Sequence, residues 1–313
     1  MQDLNEYGAR RLYEVSRDHY APALVAFVAG WLDELVRQPG SVALCLGRDG
    51  IAPFVTAQRL LRAASPRFRG VQPCRVQLAY LSRPLARRAA SQPEQAALLD
   101  RYLRARGADG AGPLVLVDVG IHGSIQDGLQ QLYPGRDVRG HYLVLRRRAG
   151  DPNGERKHGF LADLDVVPRP GRDPAPSWPP PPGWDQGGTL RSGDPFFLQR
   201  RSIHVLEDLW NGVGEVAEDF RVSLRDGRVG VVRGHVGGGP DRPPLLTLSP
   251  AERLRLKRAA LRGVVDGAAQ GGAWLDGRPG ATLGLAAWFR ELLETPLPVD
   301  AYLMNALVRR EKH

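Results

Sequence analysis

Lysine is nearly missing from this 313-residue chain: of 43 basic residues only Lys157, Lys257 and Lys312 are lysines, which leaves forty arginines. With 37 glycines and 26 prolines beside them, the arginines and the net charge of +9 read as the codon usage of a GC-rich genome. A nucleic-acid surface gathers its cations on one face with stacking rings between them. Here the arginines are spread over every segment and only 7% of residues are aromatic, so nucleic acid is not an expected partner. Cysteine is scarce too. Cys45 and Cys74 each lie inside an apolar segment, which excludes a disulfide framework and predicts buried thiols in a reducing compartment. No apolar run approaches the roughly 20 residues that a membrane helix needs. Residues 1–5 are polar and charge interrupts the next apolar stretch, so no secretion signal is read and a soluble, cytoplasmic protein is expected. Also missing are Gly-x-x-x-x-Gly-Lys-Ser/Thr, Gly-x-Ser-x-Gly, His-Glu-x-x-His and a paired-cysteine zinc spacing. Their absence removes P-loop, nucleophile-elbow, zinc-protease and structural-zinc readings.

What is present is a globular balance, 42% hydrophobic and 25% charged, in a chain long enough for one large domain or two ordinary ones. Residues 3–18 and 21–37 carry helical periodicity, the second with Leu24, Phe27, Val28, Trp31, Leu32 and Leu35 at three- and four-residue spacing. Short β runs follow at 42–46, 75–81, 114–117 and 141–145, separated by helical stretches at 53–64, 93–106 and 124–132. That alternation predicts an α/β fold, a Rossmann-like parallel sheet with right-handed crossovers. Residues 1–150 are therefore expected to form one α/β domain with N-terminal helices. Beyond Gly150 the texture breaks: residues 168–184 are a Pro-rich loop, Asp226-Gly227 centres a hairpin over 220–236, and Ser249-Pro250-Ala251-Glu252 opens a helix to about residue 265. Helical patterns at 285–293 and 300–309 complete a mixed, mainly helical second part, residues 151–313, expected to cover the ligand edge of the sheet.

Sheets of this kind bind ligands in loops beyond the carboxyl ends of their strands. The first such loop is Gly47-Arg48-Asp49-Gly50, whose glycines permit close backbone approach and whose following helix presents N–H groups to an anion. Taken alone, the loop is more simply a tight turn with a solvated Arg-Asp pair. The third strand runs into Asp118-Val119-Gly120-Ile121-His122-Gly123-Ser124-Ile125-Gln126. A carboxylate at a strand end, followed by a glycine-rich turn at a helix start, can hold a hydroxyl or magnesium water and cradle a phosphate. The alternative is that Asp118 caps the turn and His122 is merely exposed.

The order of these parts resembles the type I phosphoribosyltransferases, which use phosphoribosyl pyrophosphate (PRPP) and magnesium. The resemblance covers about residues 40–145. It implies that Arg48, Asp49 and Gly50 form the pyrophosphate loop, that Ser82-Arg83 supplies a further basic contact, and that residues 84–111 form a mobile hood carrying Arg87 and Arg88. It also implies that Asp118, Gly120, Gly123, Ser124, Ile125 and Gln126 bind the ribose and its 5′-phosphate, with Asp118 serving magnesium. Val119 stands where the family has a second acid, and His122 where many members have another. Tyr20-Ala21-Pro22, Phe27, Trp31-Leu32, Arg48-Asp49-Gly50, Ser82-Arg83, Asp118-Val119-Gly120 and Gly123-Ser124-Ile125-Gln126 are also similar to a segment attached to haloacid-dehalogenase-like proteins in bacterial surface-sugar clusters.

The expected reaction is transfer of 5-phosphoribosyl from PRPP to a hydroxyl of a small sugar-like acceptor, with pyrophosphate released. Asp118 orients the ribose, and His122, near neutral pH, is a suitable general base for an alcohol. Phosphoribosyl transfer to a hydroxyl occurs in aminoglycoside antibiotic pathways, so an aminocyclitol is the expected acceptor class. Asp185, Asp194, Glu207 and Asp208 are candidates for recognising a cationic acceptor, each more simply explained as a solvated acid. Two other readings stay open: a non-catalytic or phosphatase-like sugar-phosphate protein, and a regulatory binding module built on the same fold. A homodimer stays open as well.

Overall fold

The computed structural model describes residues 2–47, 49–63, 66–109, 112–120, 122–148, 150–165, 190–191, 215–235 and 249–270. Arg48, the Pro-rich stretch 168–184, the helices expected at 285–293 and 300–309, and Asp185, Asp194, Glu207 and Asp208 lie outside the described residues.

Helix α1 (Gln2–Val15) runs through a π-helical turn (Ser16–Tyr20) into α2 (Ala21–Arg37). Pro22 explains the turn. It has no N–H to give the carbonyl four residues back, and its ring crowds that carbonyl; widening the preceding turn relieves the clash. The Ala21 N–H accordingly reaches back five residues to the Ser16 carbonyl. Then come β1 (Val42–Gly47), α3 (Ile51–Arg62), β2 (Val76–Tyr80), α4 (Arg83–Ser91) and α5 (Pro93–Arg104). They are followed by β3 (Leu114–Asp118), α6 (Ser124–Leu132), β4 (Val138–Arg147) and β5 (Lys157–Asp165). These five strands are parallel in the order β2-β1-β3-β4-β5, and a two-residue strand, β6 (Leu190–Arg191), pairs with β5 at the edge.

Alternation along the strands decides which helix lies on which face. Ala43 and Cys45 of β1 share a core with Leu24, Phe27 and Trp31 of α2 and Ala57 and Leu60 of α3. Leu44 and Leu46 point the other way, against Leu85 of α4, Leu99 and Tyr102 of α5 and Leu129 of α6. The hairpin β7 (Glu215–Val222) and β8 (Val229–His235) joins this second core through Ala217, Phe220 and Val229. Helix α7 (Pro250–Ala269) joins the first through Leu256, Ala260 and Val264. Its start is the expected capping box, with Ser249 and Glu252 each accepting the other's backbone N–H.

Three expectations need correction. Position 150 does not divide the sheet, because β5 pairs with β4 along seven aligned residue pairs, and the later hairpin and helix pack on the two faces of the same sheet. Beyond it the described residues hold strands β5 to β8 and helix α7, and the helices expected at 285–293 and 300–309 lie outside them. The hood expected over 84–111 is, where described, the packed helices α4 and α5, with Leu85, Ala86, Ala89, Leu99, Tyr102 and Leu103 buried. Cys45 is buried as expected, but Cys74 is exposed.

A polar cluster crosses the first core. His141 Nε2 of β4 donates to Glu34 Oε2 of α2 at 2.7 Å, Arg139 donates to Glu34 Oε1 at 2.9 Å, and the His158 ring lies 5.5 Å from His141. Burial alone would raise the Glu34 pKa, but His141 and Arg139 outweigh it and hold the carboxyl at about 2. Burial, with the nearby His141, pushes His158 down to about 2. Both groups bind fewer protons folded than unfolded, so both lend stability at neutral pH that is lost on acidification. The His158 contribution falls from about pH 6.5 downward and that of Glu34 from about pH 4.5, each by up to roughly 1.4 kcal/mol per pH unit. Urea denaturation between pH 7.5 and 4.5 is expected to show this loss, and His158→Phe to flatten it. An equal slope in wild type and variant would contradict the assignment.

Candidate functional site

Helix α3 leaves β1 toward one face, and α6 leaves the neighbouring β3 toward the other. The loops after β1 and β3 therefore part at the carboxyl edge and open a crevice, the place where parallel sheets bind ligands. Both glycine-rich loops singled out in the sequence stand at this edge.

After β1 the chain turns within three residues. The Gly50 N–H donates to the Leu46 carbonyl at 2.7 Å, and a Cβ on Gly50 would stand 2.6 Å from the Leu46 N and O, so only glycine closes the turn. Asp49 is buried beside it. After β2, Ser82 caps α4, its Oγ accepting the Leu85 N–H at 3.2 Å. Arg83 opens that helix exposed at the edge, and Arg87 follows one turn later, also exposed. Arg88 does not belong with them. Its guanidinium donates to the Glu218 carbonyl and lies 3.7 Å from Asp219, so it clasps the hairpin against α4.

After β3, Asp118 Oδ1 accepts the Val119 N–H at 2.8 Å, and Val119 is buried in the first core, which explains why an apolar residue stands there and not a second acid. Gly123, at φ 64°, is the N-cap of α6. A Cβ there would stand 2.6 Å from the Tyr142 hydroxyl and 2.9 Å from Lys157 Cε. The first N–H groups of α6, from Ser124, Ile125 and Gln126, have no acceptor within the helix. The Gln126 side chain, in contrast, is committed to structure. Its amide donates to the Val138 and Arg156 carbonyls at 3.0 Å each and accepts from the Tyr142 hydroxyl at 2.9 Å, so it is not a ligand contact. Ile125 packs against the second core and can offer only its backbone.

His122 is half-buried in a cationic setting. Its Nδ1 lies 2.8 Å from the Arg146 carbonyl, which can only accept, so Nδ1 carries the proton and Nε2 is the basic nitrogen. Burial lowers its pKa below 6.5; the Arg146 carbonyl opposes that shift, and Arg148, Arg146 and Arg83 add to it. Arg148 also donates to Ser124 Oγ at 3.1 Å, and the Arg146 Nε is buried without a hydrogen-bond partner among the described residues. Arg83, His122, Ser124, Arg146 and Arg148 thus gather positive charge and N–H donors at one edge. Asp118 is the last residue of β3, and Asp49 lies two residues beyond the end of β1.

Sequence reasoning missed Arg146, Arg148 and the residue beneath the turn, Lys157. The Lys157 ammonium is fully buried and donates to Asp127 at 2.6 Å, Asp151 at 2.7 Å and the His122 carbonyl at 3.2 Å. A signal existed, since it is one of only three lysines in a chain that otherwise uses arginine. No protein-family model matches the chain, and comparison with curated proteins finds no match.

NMR titration of His122 is expected to give a pKa below 6.5 with the Nδ1–H tautomer, and Arg83→Ala is expected to raise that pKa. A value at or above 6.5 would place the ring outside the arginine cluster.

Proposed function

We propose that the chain transfers 5-phosphoribosyl from PRPP to a hydroxyl of a small sugar-like acceptor, releasing pyrophosphate. The observation that carries this reading is the neutral His122 ringed by Arg83, Arg146 and Arg148 beside Asp118, at the point where β1 and β3 diverge. Such a site suits a substrate that is anionic at both ends and has hydroxyls between.

When the bond from ribose C1 to pyrophosphate breaks, its electron pair leaves with the pyrophosphate and the ribose becomes oxocarbenium-like. Arg83 and the N–H groups at the start of α3 oppose the charge that builds on the leaving group, with Arg48 of the same loop lying outside the described residues. Asp118 accepts from the ribose hydroxyls, and the first turn of α6 with Ser124 holds the 5′-phosphate. The acceptor oxygen bonds to C1 and its proton passes to His122 Nε2, which is basic at neutral pH because the ring is held unprotonated.

Among the described residues no group of three or more His, Cys, Asp or Glu side chains is placed to hold a metal ion. A single carboxylate at a strand end fits magnesium that arrives on the substrate and keeps most of its waters, and Asp118, the last residue of β3, is the one that would meet those waters. Magnesium supplies charge neutralisation of the pyrophosphate.

Incubation with PRPP, magnesium and a panel of aminocyclitols, read by pyrophosphate release and mass spectrometry, tests the reading. Arg83→Ala is expected to weaken PRPP binding by about 10–100-fold, the scale of one charge-assisted contact. Asp118→Asn should impair both PRPP binding and turnover. His122→Ala should leave PRPP affinity within about threefold while turnover falls by roughly 10²–10⁴-fold and the ascending limb of the pH–rate profile, centred below pH 6.5, disappears. Absence of PRPP binding at millimolar concentration would overturn the proposal.

A further inference from the structure

We propose that Lys157 is a positioning residue. Its buried ammonium draws the His122 carbonyl inward and so turns the Gly123 N–H outward, toward the phosphate that the first turn of α6 holds. The identity of that phosphate as part of PRPP rests on the transferase reading; the orientation of the peptide does not.

A fully buried ammonium must be both paired and hydrogen-bonded. Two of the three Lys157 Nζ–H bonds go to carboxylates, Asp127 Oδ1 at 2.6 Å and Asp151 Oδ2 at 2.7 Å. The third goes to the carbonyl of His122 at 3.2 Å. Asp127 lies in the first turn of α6 and is tied further by Asn153 Nδ2 at 3.0 Å, so the ion cluster is braced against the helix whose start it sets.

A trans peptide is planar, and its C=O and N–H point in opposite directions. Fixing the His122 carbonyl toward the interior therefore fixes the Gly123 N–H away from it. Gly123, at φ 64°, has the Tyr142 hydroxyl and the Lys157 stem directly below it, with no room for a Cβ. Ser124 and the His122 ring are half-exposed, and Arg148, which donates to the Ser124 hydroxyl, is exposed. Among the described residues the ammonium is the donor that holds the His122 carbonyl inward, and a flipped peptide would present an oxygen to the phosphate instead of a donor. Lysine suits the position because its compact ammonium fits between two carboxylates and a carbonyl, where a planar guanidinium does not.

Calorimetry with PRPP and magnesium is run on wild type, Asp151→Asn, Lys157→Met and the double variant Lys157→Met/Asp151→Asn, which leaves one fewer buried carboxylate unpaired. Asp151→Asn weakens the ion cluster but keeps the ammonium–carbonyl bond, so its PRPP affinity is expected within about threefold of wild type. The double variant is expected to bind about 10–100-fold more weakly than Asp151→Asn, the scale of losing a charge-assisted donor. In parallel, inorganic phosphate is titrated into isotopically labelled wild type, and the Gly123 amide is expected among the most shifted. Equal PRPP affinity in the double variant and Asp151→Asn would overturn the proposal. So would phosphate binding that leaves the Gly123 amide unmoved, a result wild type supplies even if the lysine variants do not fold. If phosphate moves the Gly123 amide but PRPP binds no more tightly than ribose 5-phosphate, the lysine's role stands and the transferase reading falls. Wild type that binds neither overturns both.

Discussion

Strands β1 and β3 lie side by side and send their helices to opposite faces of the sheet, and the rest of the molecule is arranged around that divergence. Because Ala43 and Cys45 face the α2, α3 and α7 layer while Leu44 and Leu46 face α4, α5 and α6, the backbone at the carboxyl edge has to split. The split leaves two helix starts facing a common crevice, each preceded by a glycine that no other residue can replace without a backbone or side-chain clash. Asp49, Asp118 and the arginines around His122 sit there because the strands end there. Charge is placed by topology and then refined by local bonds.

Refinement comes largely from carbonyl groups. Arg75 donates to the Leu35, Gln38 and Ser41 carbonyls at the end of α2, and Arg136 to those of Ala108 and Gly112 before β3. Arg147 joins the Lys157 carbonyl to Asp163. A guanidinium fork can satisfy several orphan carbonyls at once, which is why an arginine-rich chain can close its loops with few capping side chains. The wide spread of arginine therefore has a structural use, while among the described residues Arg83, Arg146 and Arg148 are grouped around His122, with Arg87 exposed one turn after Arg83. Lys157 is the counter-example, a point charge where the space is too small for a fork.

Much of the fold was legible because alternating strands and amphipathic helices leave a periodic trace, and the four strands and three crossover helices expected before residue 150 are present within a few residues of their predicted bounds. Helix α4 was hidden by Arg83, Arg87 and Arg88, whose charge masks a buried face made only of Leu85, Ala86 and Ala89. Strand β5 was hidden twice over: it begins with a buried lysine and histidine, and the described part of its connection from β4 holds a 3-10 turn (Gly154–Arg156) and no crossover helix. At the site, Asp118, His122 and Gly123 were readable as a loop of unusual composition. Arg146, Arg148 and Lys157 were not, because they come from strand ends distant in sequence and only the parallel register brings them under and around the turn.

The central claim is that the β1/β3 edge holds a phosphorylated sugar by both its ends. A crystal structure determined with PRPP and magnesium tests it most directly. The account predicts the 5′-phosphate on the N–H groups of residues 123–126 with Ser124, the ribose hydroxyls on Asp118, and the pyrophosphate between Arg83 and the start of α3. Well-ordered PRPP bound elsewhere, or an empty edge at saturating PRPP, would contradict it.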